Sequence, residues 1–172
     1  MQVRIPWGKK PVLAYPIPPA PPTAILVDCF RSSGNLRVFE KGWSAEAAQF
    51  APAAIAATPA QLDALSAEQI PSLRYAVIAL VGANEPRLTE SDRERFWRAF
   101  RVPVFEQLID KKGGLLAAEC EAHDGLHVES TGVAPRAGEV IEATPCGCGK
   151  TSPRLIAIER VENLRRVAAY AR

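Results

Sequence analysis

The apolar positions along this chain fall into short continuous runs separated by helix signals. Ala24–Phe30, Leu36–Glu40 and Leu73–Val81 predict strands, and Ala53–Ala57 is a shorter run of the same kind. Leu73–Val81 is apolar nearly throughout, which predicts a strand covered on both faces, as in a parallel sheet. Ser44 is positioned to cap a helix reaching about Phe50, with Pro52 as its stop. Thr58-Pro59 sets an N-cap before a proline suited to the first helical position, and Leu62, Leu65 and Ile70 mark the inner side. Thr89-Glu90-Ser91-Asp92 opens a third helix with carboxylates in its first turn. It should run to about Phe100 with Phe96, Ala99 and Phe100 inward. Val102–Phe105 then predicts a strand, so at least one right-handed βαβ unit is expected.

The last third has a different rhythm. Leu115–Ala122, Leu126–Glu129, Glu139–Thr144 and Arg154–Val161 predict short strands joined by turns. The first stretch differs again, because Pro6, Pro11, Pro16, Pro18, Pro19, Pro21 and Pro22 exclude a helix and favour polyproline geometry. Trp7, Leu13, Tyr15 and Ile17 supply apolar side chains that should pack across the chain's own body. The PxxP spacing from Pro16 to Pro19 and Pro19 to Pro22 leaves docking on a protein partner open. The expected organisation is a Pro-rich extended arm over 1–23, an α/β body over 24–113, and a β-rich zinc-binding region with a C-terminal tail over 114–172.

Charge and composition narrow the function. A net charge of only +2 on 172 residues argues against a general nucleic-acid binder. No run of about 18 apolar residues exists, so no membrane-spanning helix is expected. Met1–Trp7 lacks the apolar core and cleavage site of a signal peptide, which predicts a cytoplasmic, reducing setting. There, clustered cysteines more often hold a metal than form disulfides.

Such a cluster is present. Cys120, His123 and His127 are followed by Cys146-Gly-Cys148-Gly. Zinc favours four nitrogen or sulfur ligands in a tetrahedron, and closed four-ligand sites are structural. Asp124-Gly125 suits a two-residue hairpin turn, which pairs 121 with 128; a turn at His123-Asp124 pairs 120 with 127. Either register sets Cys120 and His127 on one face. The expected ligands of a structural zinc are therefore Cys120, His127, Cys146 and Cys148. His123, opposite in parity to Cys120, is the rival fourth ligand. Lys150 and Arg154 are placed to offset the one net negative charge of such a site, and Cys29 reads as a buried, inert thiol.

Leu73–Glu85 and Asp92–Phe105 resemble segments of the adenylate-forming acyl-CoA synthetases. Glu119-Cys120-Glu-Ala-His-Asp-Gly-Leu-His127 and Cys146-Gly-Cys-Gly-Lys-Thr-Ser-Pro-Arg154 resemble the phenylacetate–CoA ligase branch, and the likeness spans roughly 58–160. The resemblance implies an α/β fold: a partial adenylation-core-like sheet with flanking helices plus a zinc-pinned β appendage. It does not carry over the catalytic parts. Arg31-Ser-Ser-Gly34 lacks the Thr-Thr-Gly continuation of the phosphate loop. Phe105–Gly113 lacks the Tyr-Gly-x-Ser/Thr-Glu order, and the C-terminal domain carrying the catalytic lysine is expected to be absent. The expectation is a non-catalytic relative, a pseudoenzyme acting as an accessory or binding subunit, with no catalytic residue assigned and an unknown small-molecule ligand. Two alternatives stay open: residual acyl or aryl-acid adenylation or CoA-ligase activity near Glu85, Glu106 and Asp110, and a zinc-ribbon-like nucleic-acid binder using Lys150, Arg154, Arg160, Arg165 and Arg166.

Overall fold

The computed structural model describes residues 9–159, 162 and 166. Nine strands join in one sheet: β1 Thr23–Ile25, β2 Leu36–Val38, β3 Ala54–Ala57, β4 Ala76–Gly82, β5 Val104–Ile109, β6 Leu115–Glu119, β7 Leu126–Val128, β8 Glu139–Glu142 and β9 Arg154–Ala157. Their order is β2-β1-β3-β4-β5-β6-β7-β9-β8. From β2 to β5 every neighbouring pair is parallel, and from β5 to β8 every pair is antiparallel. The change comes at the turn between β5 and β6, where Asp110 Oδ1 accepts from the amides of Lys112 and Gly114.

Helices form where local chemistry starts them. Ser44 caps α1, Ala45–Gln49, and Thr58 caps α2, Pro59–Leu65, in a capping box with Gln61. Thr89 and Asp92 make a second box at the head of α3, Glu90–Phe100. Arg101 ends α3 in the left-handed region, with φ 59°. Ala99 is exposed, contrary to expectation. The inward stripe of α3 is Phe96 and Phe100, and Ala99 falls outside it.

Alternation along the parallel strands splits the core in two. Ala24, Leu26, Ile55, Ala57, Val77, Ala79 and Val104 pack with Ala47, Leu62, Leu65, Phe96 and Phe100 from the helices. Ile25, Ala56, Ala76, Ile78, Leu80 and Phe105 face the other way. There the Pro-rich stretch supplies the cover. Leu13 is 3% exposed, with Val12, Tyr15 and Ala20 packed against the same cluster. Arg31 N–H donates to Pro11 O, and Gln107 Nε2 donates to Ala14 O. Pro6 and Trp7 lie outside the described residues.

Several strands differ in extent from their apolar runs. The strand expected over Ala24–Phe30 ends at Ile25, because only Thr23–Ile25 pair with both β2 and β3. That expected at Val102–Phe105 continues to Ile109, since β4 and β6 flank it on both edges. Cys29 is partly rather than fully buried, and burial raises its thiol pKa.

Leu13→Ala should cost about 3 kcal/mol, the scale for emptying a buried leucine site. Urea unfolding measures it, and an unchanged midpoint would show that the arm contributes nothing to the second core.

Candidate metal centre and the cavity behind it

The ribbon of β6 and β7 positions the site. Ala118 pairs with His127, Glu119 with Leu126 and Ala117 with Val128. Neither expected two-residue turn occurs; residues 120–125 make a wider connection. His123 N–H donates to Cys120 O, and His123 takes a φ of 49°. Gly125, at φ 84°, passes so close to β9 that a Cβ there would sit 2.6 Å from Leu155 O. The turn is wider than expected, and the register lies two residues from the closer expectation. A slip of two preserves the face, so Cys120 and His127 still share one.

The ligand atoms of Cys120, His127, Cys146 and Cys148 all lie within 4.8 Å of one another. Cys120 Sγ is 3.6 Å from Cys146 Sγ, and Cys148 Sγ is 3.4 Å from His127 Nε2. The sulfur pair is too far apart for a disulfide bond of about 2.05 Å. A tetrahedron built on a zinc–sulfur distance of about 2.3 Å has edges of about 3.8 Å, close to these separations. Cys120, His127 and Cys146 are buried and Cys148 is partly exposed. These residues could hold a metal ion.

The surroundings act on the four ligand atoms in different directions. His127 Nδ1 lies 2.9 Å from Ser152 Oγ. Donation of Nδ1–H to that hydroxyl leaves the Nε2 lone pair facing the sulfurs. Burial, then the nearby Lys150, lowers the imidazole's pKa and keeps it neutral. Burial pushes the Cys120 thiol up to about 12. At Cys146 burial also acts upward, but the Cys148 amide and the neighbouring thiols outweigh it and the net shift is down. Arg154 is buried, donates to the Asp124 carboxylate and to Asp124 O, and bonds Thr144. Its charge acts downward on Cys146, the role expected for it. Lys150 Nζ is 3.9 Å from Glu129. Arg166 is exposed, and Arg160 and Arg165 lie outside the described residues.

His123 takes another role. Its ring stacks on Phe105 with centroids 4.8 Å apart, and its Nδ1 is 3.0 Å from Glu119 Oε1. Glu119 points to the sheet face opposite the sulfur cluster. There Arg93 from α3 bridges two buried carboxylates, reaching Glu119 at 2.9 Å and Glu106 at 2.9 Å. Glu119 also accepts from Glu106 N–H, and Glu106 accepts from Leu88 N–H. Burial raises Glu106 to about 7 against the pull of Arg93. Glu119 is also raised by burial, but His123 and Arg93 outweigh this and bring it below its ordinary value. The other two carboxylates weighed from sequence are used locally: Glu85 accepts from Gly82 N–H, and Asp110 closes the β5–β6 turn.

This network forms one wall of a cavity of about 730 Å³ between α3 and β5–β9. Sequence reasoning missed Arg93, although its spacing from Phe96 and Phe100 sets it on the inner stripe of α3. Ser152 was missed too, with no local signal beyond its place after Cys148.

No protein-family model matches this sequence, and no curated protein matches it. Solved structures do. An open conformation of 2-hydroxyisobutyryl-CoA ligase, in complex with 2-HIB-AMP and CoA, aligns with a TM-score of 0.54 at 15% identity, covering 79% of this chain and 44% of the ligase. The same ligase in a postadenylation state aligns at 0.52 and 16% identity, covering 80% and 43%. The chain shares its fold with part of an adenylate-forming CoA ligase. It spans less than half the length of those ligase chains. The ligase-like fold thus comes with a sulfur–imidazole cluster on one side of its sheet and a buried arginine–glutamate network on the other.

Glu106 makes stability depend on pH. A carboxyl raised from 4.5 to about 7 holds its proton more tightly folded than unfolded, so stability falls as pH rises through that window. Glu106→Gln cannot ionise. Between about pH 5 and pH 8 the native chain should lose roughly 2–3 kcal/mol relative to the variant. Parallel urea-unfolding profiles across that range would instead mean that Arg93 keeps Glu106 ionised throughout.

Proposed function

We propose that this chain is a zinc-holding, non-catalytic relative of the adenylate-forming acyl-CoA ligases, on the phenylacetate–CoA ligase side of that superfamily, and that it serves as an accessory or binding subunit. The observation that carries the metal half is the closure of three sulfurs and one imidazole nitrogen to within 4.8 Å, donated by two separate parts of the chain. Three thiolates and a neutral imidazole form a soft, closed donor set, which suits zinc in a structural rather than an open catalytic role. Such a site ties the β8–β9 loop to the β6–β7 ribbon. It contributes to folding on the order of 10 kcal/mol by analogy with small zinc modules.

The non-catalytic half is supported by what the candidate carboxylates do. Glu85, Glu106 and Asp110 are each engaged within the fold. The residues from Phe105 to Gly113 also lack the order Tyr-Gly-x-Ser/Thr-Glu. Among the described residues no helix is long and apolar enough to cross a membrane. A reducing cytoplasm is the setting in which free thiols at Cys120, Cys146 and Cys148 stay available for a metal.

Elemental analysis of gently purified protein should find about one zinc per chain. Cys120→Ser and Cys148→Ser should each lower the bound metal several-fold, and chelation should lower the melting temperature. His123→Ala should leave the metal content unchanged, because its ring is turned toward Phe105 and Glu119. Metal-free native protein would remove the zinc assignment, and metal lost with His123 but not with His127 would remove His127 from the ligand set. Calorimetric titration with magnesium and ATP addresses the other half: saturable binding would replace the accessory reading with an adenylating one.

A further inference from the structure

Helices α1 to α3 pack with the apolar residues of β1, β3, β4 and β5. The cluster that includes Ala117, Leu126 and Leu155 of the antiparallel strands has no helical residue against it among the described residues. Beside α3 and over these strands lies the cavity of about 730 Å³. Apolar surface stays in solvent around it. Trp97 of α3 lines it while 51% exposed. Ile141 pairs with Leu155, which lines the cavity, so the two share a face, and Ile141 is 48% exposed. A sheet face of this kind is ordinarily closed by a further packed element.

The wall is negative. Five glutamates line the cavity against Arg87 and Arg93. Those arginines are taken up by Glu139, Glu106 and Glu119, which leaves Glu90 and Glu159 as an exposed excess. A small cation gains little from Trp97, whose ring already carries the Arg101 guanidinium 4.9 Å from its centroid. Apolar surface on two sides of a glutamate-rich hollow instead suits a longer occupant that is both amphipathic and basic.

The chain brings such a segment to the rim. β9 ends at Ala157, which lines the cavity, and the backbone is helical at Ile158 and Glu159 directly after it and again at Glu162 and Arg166. All four of these helical residues are exposed. At about 100° per residue Glu159, Glu162 and Arg166 fall on one side of a helix. The same period carried along the sequence assigns Val161, Leu164, Ala168 and Ala171 to the opposite side, with Arg160 at one margin and Arg165 and Arg172 at the other. Residues 160–172 hold four arginines and one glutamate. As a helix they would rise about 20 Å, and the way from β9 across β7 to β6 is about 10 Å.

We propose that residues 160–172 continue the helix begun at Ile158 and dock across this cavity, with Val161, Leu164 and Ala168 against Trp97 and Ile141 and the flanking arginines toward Glu90 and the glutamate-rich wall. The occupant of the cavity is the chain's own C-terminal segment. The docking face is the one opposite the metal ligands, so it holds whether or not zinc is bound.

Hydrogen–deuterium exchange on the full-length native chain, read by mass spectrometry, tests this. Amides over 161–171 should exchange at least tenfold more slowly than in a free peptide of that sequence. Trp97→Ala and Glu90→Lys, both at exposed positions of α3, should each speed that exchange at least fivefold, which a helix standing free in solvent would not register. Ile17→Ala, exposed on the proline-rich stretch, should leave it unchanged. Leu164→Asp should in turn move the Trp97 indole N–H signal in NMR spectra, assigned through Trp97→Phe. The proposal is overturned if the segment exchanges at the rate of the free peptide, if folded Trp97→Ala and Glu90→Lys variants keep the native rate, or if Ile17→Ala speeds exchange as much as they do. It is equally overturned if Leu164→Asp leaves the indole signal in place, or if protection grows with protein concentration, which would make a second copy the occupant.

Discussion

The pleat of the β6–β7 ribbon governs the chemistry of this protein. Successive residues of a strand point to opposite faces. Glu119 and Cys120 are neighbours in sequence, yet one joins an arginine–glutamate network and the other a sulfur–imidazole cluster. Leu126 and His127 divide in the same way across the paired strand. A register slip of one residue would exchange the two faces, burying a carboxylate among thiols and a thiol among carboxylates. The ribbon is held against that slip from both sides. His127 pairs with Arg154 and Leu126 with Leu155, while Glu119 bonds the Glu106 amide of β5.

Around this ribbon the sheet solves two covering problems differently. The parallel half has helices on one face, where Phe96, Phe100, Leu62 and Leu65 complete the core. On the other face a polyproline-rich stretch takes the place of a helical layer. It contributes Leu13 and Tyr15 as apolar contacts and backbone carbonyls as acceptors for Arg31 N–H and the Gln107 amide. A segment with few N–H groups of its own suits that task, because it buries few donors that would need partners. Val81 and Leu108 of the parallel half join Ala117, Leu126 and Leu155 of the antiparallel half in a smaller core, and the cavity lies at its edge.

Comparison with the CoA ligases adds the frame within which these features sit. The shared fold accounts for a mixed sheet with helices between its early strands, at an identity too low to speak for substrates. In this chain two of the candidate carboxylates are engaged within the fold. Glu106, on the strand where the ligase motif was sought, is locked beneath Arg93, and Asp110 shapes a turn.

Much of this was legible from residue order alone, and for a common reason. Helix starts at Ser44, Thr58 and Thr89 depend on side chains bonding amides three residues away, so local sequence suffices. The shared face of Cys120 and His127 follows from parity, which survives an error of two in the register. The choice between His123 and His127 favoured the residue that stands with the sulfurs, again through parity. Tertiary packing decided the rest. The six-residue connection at 120–125 brings Gly125 against Leu155, far along the chain, at a distance that only a glycine allows. The first strand stops at Ile25, where its pairing with β2 and β3 ends. Arg93 finds Glu106 and Glu119 thirteen and twenty-six residues away, and no local pattern encodes bonds of that span. Sequence alone determined which residues carry the chemistry and which periodicity each segment follows, since both are properties of neighbours. Only the folded sheet decided which of them meet, because those meetings depend on strand order and register, which long-range pairing sets.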